Sequence, residues 1–276
     1  MIDARDEWPH IFFEFFPRWL HSIIKVILWN DFQIVKKCFK SATHITSMSE
    51  STLEWALLTG NKIKTADDRV FYLGAKKIFW SPEATQKFSY IEGAAKGKFV
   101  VIFIGNFNEF YNPIILIEVA KILSNLNIYF ILGGSGIYYK KAKEQSAGLK
   151  NVALTGWLSE QEIAFLLSFS NVGVIPCSKK IKAFPNKAFT YFSAGLPVIS
   201  SVEGELKESI GKNNMGFYYQ SKNAVGLANG IKRMYEDRSL HKKMSKNVND
   251  IFDKLFDANK IYQQYVEYLE NITKWK

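Results

Sequence analysis

Cysteine is scarce: only Cys38 and Cys177 occur in 276 residues. They stand far apart and without metal-ligand spacing, which suits a reducing compartment and leaves neither a strong candidate nucleophile. The N-terminus opens on no charged-then-apolar leader, so nothing in it suggests export. An apolar run of about 20 residues, the length a spanning helix needs, is also missing. The richest stretch, residues 11–42, is interrupted by Glu14, Arg18, His21 and Lys25. There are no internal repeats, and a composition of 47% hydrophobic and 22% charged residues excludes a disordered bias.

Acidic residues are outnumbered, 26 against 36 basic ones, giving a net charge of +10 and a pI of about 9.3. Nucleic acid, an anionic membrane surface and a phosphorylated ligand are the partners such a balance allows. Most lysines are spread widely, as on any solvated surface. Two concentrations stand out. Lys179, Lys180, Lys182 and Lys187 crowd into nine positions, and residues 11–42 combine Trp19 and Trp29 with Lys25, Lys36, Lys37 and Lys40. The second suits an interfacial helix on anionic lipid, or equally a helix packed on a sheet or against another part of the protein. No basic stripe with interleaved aromatics coincides with a nucleic-acid fold, which sets nucleic acid aside.

From residue 98 the pattern is regular. Apolar strands "KFVVIFIG" (98–105), "NIYFILGG" (127–134), "NVALTG" (151–156), "NVGVIPC" (171–177), "LPVIS" (196–200) and "MGFYY" (215–219) alternate with amphipathic helices. Near-continuous apolar strands separated by helices imply a parallel sheet covered on both faces. The fold class is therefore α/β, with a Rossmann-like sheet of six strands. Residues 1–92 offer three weaker strands, at "MIDARDEW", "HITSMS" and "RVFYLGA", which imply a partial second α/β domain and a linker. Residues 238–276 read as closing helices, with a stripe of Tyr262, Tyr265, Val266 and Leu269 for docking on the other domain.

In an open parallel sheet, ligands bind beyond the carboxyl ends of the strands. Four loops fall there: "GNFNEF", "GGSG", "TGWLS" and "CSKKIKAFPNK". The last leads into the helix of "FPNKAFTYFSAGLPVIS", where Asn186 is a plausible N-cap and Gly195 a plausible C-terminal stop. Glycines for close backbone approach, a helix N-terminus and four lysines together suit a phosphate or pyrophosphate.

The series "VVIFIGNF", "IYFILGGSG", "NVALTGWLSEQEIAFLLSFSNVGVIP" and "FPNKAFTYFSAGLPVIS…GE" resembles the donor-binding half of group 1 (family 4) glycosyltransferases, in particular the bacterial surface-polysaccharide type. These have the GT-B architecture of two facing Rossmann-like domains. The resemblance covers residues 98–236, and "DARDEWP" and "FYLGA" look like stretches late in the family's N-terminal domain. It implies an incomplete acceptor-side domain in 1–92, a nucleotide-sugar-binding domain in 93–237 and closing helices in 238–276.

What the resemblance implies about the site follows residue by residue. Pro185, Asn186 and Lys187 would hold the donor pyrophosphate, and Trp157 and Leu158 would meet the base through main chain. Gly105, Asn106, Phe107 and Gly134 would approach the phosphates and the sugar. The family's two glutamates eight positions apart fall on Lys182 and Thr190, and Asn106 stands where many members have arginine. Arg5, Asp6 and His10 would lie near the cleft. Glu205, like Glu203, would touch the donor or, more in keeping with its position, cap the helix that starts there. No catalytic side chain is singled out.

The implied activity is a retaining transfer of a sugar from a nucleoside-diphosphate donor, a UDP-sugar, to a lipid-linked or oligosaccharide acceptor. The setting would be surface-polysaccharide, O-antigen, lipopolysaccharide or capsule biosynthesis. The enzyme would be cytoplasmic or peripheral on the inner membrane face through residues 11–42, with neither metal nor cofactor. The alternative is a non-catalytic or split-subunit nucleotide-sugar-binding module that works with a missing N-terminal subunit.

Overall fold

The computed structural model describes residues 1–77, 79–178 and 184–273. They form two compact units, Met1–Leu73 with Lys260–Lys276, and Gly74–Asn259.

The smaller unit holds three parallel strands in the order β1 (Ile2–Ala4), β2 (Ile45–Ser47), β3 (Arg69–Val70). Ile2 pairs with Ile45 and Thr46 with Arg69. Helices α1 (Phe12–Phe15), α2 (His21–Ile27) and α3 (Trp29–Ser41) fill the first connection, and α4 (Glu50–Gly60) the second. Ser49 starts α4 by accepting the Thr52 amide at 3.1 Å. Ala4, Phe39, Ile45, Leu53, Ala56 and Leu57 make the core. The carboxylate of buried Asp68 accepts the Ile45 amide and both the amide and hydroxyl of Thr65, each at 2.9 Å, so a charge inside the fold keeps its hydrogen bonds.

The larger unit carries six parallel strands in the order β6-β5-β4-β7-β8-β9. These are β4 (Phe99–Ile104), β5 (Ile128–Gly133), β6 (Val152–Gly156), β7 (Val172–Ile175), β8 (Val198–Ser200) and β9 (Gly216–Tyr218). Every residue of β4 and β5 is buried, as strands covered on both faces must be. The connecting helices are α5 (Pro82–Ala95), α6 (Ile114–Ile122), α7 (Tyr139–Ser146), α8 (Glu160–Ser168), α9 (Asn186–Ser193), α10 (Glu205–Lys212) and α11 (Ala224–Glu236), and α12 (Arg238–Ile251) closes the series. Each strand expected from the sequence is present.

The division between the units differs from the boundaries at 92/93 and 237/238 that the sequence suggests. Helix α5 belongs with the large sheet because Phe88 and Ile91 are buried and Lys87 pairs with Glu162 of α8 at 2.5 Å. Residues 238–259 belong there too: Phe256 stacks on Phe192 of α9 and meets Phe189 edge-on. The final helix, α13 (Ala258–Thr273), supplies residues 260 onward to the small unit. Its packed face is Ile261, Tyr265, Tyr268, Leu269 and Ile272 against Phe71 and Tyr72, and the Tyr268 hydroxyl donates to the Asp67 carbonyl at 2.7 Å. Tyr262 and Val266 of the expected stripe are exposed instead. Among the described residues no helix is long and apolar enough to cross a membrane.

Candidate functional site

The strand order reverses between β4 and β7, for β5 and β6 extend beyond β4 on one side and β8 and β9 beyond β7 on the other. The crevice outside such a switch point is where open parallel sheets take their ligands. Three loops are stitched together there by backbone. Gly105 donates to the Gly133 carbonyl at 2.9 Å, Phe107 to that of Ser135 at 2.8 Å, and Gly134 to that of Gly156 at 2.8 Å. Gly134 has φ 134°, and a Cβ on it would collide with the Gly105 carbonyl, so the loops close this tightly only because that side chain is missing. They enclose a cleft of about 420 Å³ lined by Gly105, Asn106, Gly134, Ser135, Trp157 and Leu158. Leu158 is buried while Trp157 projects outward, 73% exposed. Below them Ser159 and Glu162 form a reciprocal capping box that fixes the start of α8.

Helix α9 completes the rim. It begins at Asn186 with Pro185 in extended conformation (φ −70°, ψ 141°) as its cap, and no side chain caps it. Asn186 is therefore the first helical residue and is exposed, not the N-cap that the sequence suggested. The Ala188 amide donates to the Pro185 carbonyl at 2.9 Å, while the amides of Asn186 and Lys187 lie in the first turn, where an α-helix supplies no partner. At the other end, Gly195 (φ 70°) donates to Phe192 at 2.9 Å and Leu196 to Tyr191 at 3.0 Å. This pair of bonds is a Schellman stop, as Gly195 implied.

One buried aromatic sets where α9 points. The hydroxyl of fully buried Tyr191 accepts the Ile104 amide at 2.9 Å and donates to the Val174 carbonyl at 3.4 Å. The helix is thus pinned to the ends of both β4 and β7, and burial pushes the phenol well above its ordinary range. The Lys187 ammonium, carried on the first turn, lies 3.4 Å from the centroid of Tyr111 and 5.8 Å from that of Phe103. A Cβ on Gly105 would stand 3.1 Å from its Nζ, which places the cation at the mouth of the β4 loop. Burial pushes it down to about 8, with Cys177 acting in the opposite sense. Tyr111 is pushed up to about 12, by burial first and then by Cys177. Among the described residues no carboxylate pairs with Lys187. A half-buried cation held by rings and not by an acid suits an anion arriving from outside.

Other sequence-derived positions are placed differently. Phe107 belongs to the core: its side chain is fully buried between Phe103 and Tyr139, and only its main chain serves the loop. The Thr190 hydroxyl turns back to the Asn186 carbonyl at 3.5 Å. Glu205 sits in the first turn of α10 behind Gly204, which occupies the cap position without a side chain, and Glu203 accepts the Tyr218 hydroxyl at 3.4 Å. The capping role assigned to that pair is thus not filled by a glutamate, although Glu205 still favours the positive end of the helix dipole. In the smaller unit Arg5 pairs with Asp3 at 2.6 Å and Asp6 is exposed just beyond β1. His10 accepts the Trp55 indole N–H at 3.2 Å. Lys182 lies outside the described residues, as do Lys179 and Lys180.

Sequence reasoning missed Tyr111, Tyr191 and Ser135. Tyr191 reads as one more apolar position of a buried helix, and nothing in a single sequence shows that a phenol reaches a strand 87 residues away. A separate cavity of about 380 Å³, lined by Glu109, Asn112, Tyr138, Cys177, Tyr219 and Lys222, contains none of the expected residues. Among the described residues no group of three or more His, Cys, Asp or Glu side chains could hold a metal ion.

The family model described as "Glycosyl transferases group 1" matches residues 85–250. No curated protein sequence matches the chain. Among solved structures, Anabaena HepE in complex with UDP is similar at 21% identity and a TM-score of 0.71, over 88% of this chain and 68% of that one. A glycosyltransferase from Rickettsia africae is similar at 20% identity and a TM-score of 0.70, over 87% of this chain and 67% of that one. The C-terminal domain of the group 1 family protein LpcC from Francisella tularensis is similar at 18% identity and a TM-score of 0.56, over 67% of this chain and 99% of that one. Identities this low speak for the fold. The chain spans about two thirds of the length of the first two.

Proposed function

The chain belongs to the group 1 glycosyl transferases, and on that premise we propose that it binds a UDP-sugar at the β4–β7 switch point and transfers the sugar with retention. The acceptor would be a lipid-linked or oligosaccharide one in surface-polysaccharide assembly, such as O-antigen, lipopolysaccharide or capsule. The observation that carries the donor reading is Lys187: a cation without an acidic partner among the described residues, beside Gly105 and the open first turn of α9. Solved neighbours with UDP or UDP-glucose bound support the choice of nucleotide.

In this reading the diphosphate lies across the amides of Asn186 and Lys187 and against the open face of Gly105, with the ammonium of Lys187 on its charge. The base enters the cleft against Leu158 and the main chain at Trp157, and Thr190 reaches the ribose with its hydroxyl. Catalysis is then positioning and electrostatics: the same amides and cation stabilise the negative charge that grows on the departing diphosphate as the bond to the sugar breaks. Neither a metal nor a cofactor has a part in it.

A second reading is favoured by Thr190, where a carboxylate would grip the ribose better: a non-catalytic or split-subunit module that binds the nucleotide sugar and works with a separate N-terminal subunit. Calorimetric titration with UDP, followed by donor turnover with and without neighbouring gene products, separates the readings. Binding with turnover supports the transferase, binding without turnover supports the module, and no binding of UDP overturns both.

A further inference from the structure

Helix α2 is built inside out. In His21–Ile27 only Ile24 is buried, while Val26 and Ile27 are 76% and 72% exposed and Ile23 is exposed beside them. Trp19, in the 3-10 turn one helical turn earlier, is 74% exposed. Positions 19, 23, 26 and 27 share one helical face, so the apolar stripe of this segment points away from its own core. Phe15, Phe16 and Trp29 are exposed on either side of it. A folded domain buries such a stripe unless something else covers it.

Three features choose the occupant. Of the charged residues in 11–42, five are basic (Arg18, Lys25, Lys36, Lys37, Lys40) and two acidic (Glu14, Asp31), an excess of three positive charges. Arg18 and Lys25 are exposed along one flank of the apolar stripe, about 100° round the helix from Trp19 and Val26, where their charges suit phosphate headgroups. Trp19 and Trp29 bracket it, and tryptophan is the side chain that settles at the boundary between headgroups and acyl chains.

We infer that residues 15–30 form a docking surface for an anionic lipid bilayer, with Trp19, Ile23, Val26 and Ile27 entering the interface and Arg18 and Lys25 meeting the headgroups. This binding is independent of the donor reading, since it uses no residue of the larger unit. It would hold the chain where a lipid-linked molecule can be reached.

The test is flotation of the full chain with vesicles of phosphatidylcholine alone and of phosphatidylcholine mixed with phosphatidylglycerol. Flotation with the mixed vesicles only, lost at high salt, is expected. Arg18→Gln and Lys25→Gln should each weaken it by roughly fivefold, and Trp19→Ser with Ile27→Ser should abolish it while the thermal melt and UDP titration stay unchanged. Because these side chains are exposed, the variants keep the fold. The inference is overturned if the wild-type chain stays with the soluble fraction, or if the Trp19→Ser, Ile27→Ser variant floats as well as wild type. It is also overturned if light scattering shows a dimer that the same substitutions dissociate and no vesicle is bound, for the stripe then belongs to a second copy.

Discussion

The hydroxyl of Tyr191 accepts the amide of Ile104 at 2.9 Å. One bond joins the second aromatic of α9 to the last residue of β4, and so fixes the distance between the helix that offers amides and the loop that offers Gly105. In Tyr191→Phe that amide stays buried with no acceptor, which costs about 1–3 kcal/mol. Urea unfolding should show a loss of that size with an unchanged slope. UDP binding should weaken as well, since Asn186 and Lys187 lose their reference to the sheet. Lost stability with full affinity for UDP would mean that the bond holds the core and leaves the rim alone.

Lys187 makes the second prediction, with the sign set by its burial. Its folded value is about 8 against an ordinary 10.5, so burial opposes the charged form. The folded chain therefore binds fewer protons than the unfolded one between those two values, and this residue's contribution to stability rises with pH across that window. Below about 8 the buried ammonium is a cost that the fold bears. Lys187→Met should accordingly stabilise the chain at neutral pH and remove the rise, while weakening UDP by roughly 10- to 100-fold through the lost charged contact. Wild-type affinity for UDP should fall as the pH climbs through 8, and the Met variant should show no such fall. Denaturation and calorimetry at a series of pH values read both effects.

Gly134→Ala tests the backbone stitching. The residue sits at φ 134° and a Cβ would meet the Gly105 carbonyl, so the substitution combines backbone strain with overpacking of about 1–3 kcal/mol. A lower melting temperature and loss of UDP binding are expected together, because the Gly105 loop must shift. Gly148→Ala is a control: it also has a positive φ, but nothing lies within 4 Å of a Cβ there, so its effect should be strain alone and leave UDP affinity intact.

The large sheet is legible in the sequence because its strands are buried on both faces and announce themselves as apolar runs, and Gly195 because only glycine takes its conformation cheaply in a helix stop. The start of α9 misleads for a physical reason. Asparagine before an apolar periodicity is a good N-cap, but Pro185 already holds the extended conformation that a cap needs, which pushes Asn186 into the helix. The face of α13 is half legible: Tyr265 and Leu269 of the expected stripe are packed, and Tyr262 and Val266 are exposed. Tyr262 and Val266 are as apolar as their neighbours, and Ile261, Tyr265, Tyr268 and Ile272 form a second stripe at helical spacing that only Phe71 can select. Phe107 shows the remaining gap: a loop residue close to glycines can serve through its main chain while its ring belongs to the core.

Thr190 offers the last prediction, and one that separates the transferase from the module. It lies one turn beyond Asn186 on α9, half-buried, with its hydroxyl spent on a long 3.5 Å bond to its own helix. A carboxylate there would stand one turn from Lys187, at the same spacing that lets opposite charges on a helix support each other, and could accept both ribose hydroxyls where Thr190 can engage one. Thr190→Glu should tighten UDP by roughly tenfold, the gain of about 1.4 kcal/mol that one charged hydrogen bond supplies. It should leave 2′-deoxy-UDP unimproved, because the added contact needs the 2′-hydroxyl. If donor turnover rises with UDP affinity, threonine limits an enzyme that is otherwise intact. Should affinity rise while turnover stays at background, the chain binds its nucleotide sugar for another subunit to use, and an equal gain for both nucleotides would place Thr190 away from the ribose altogether.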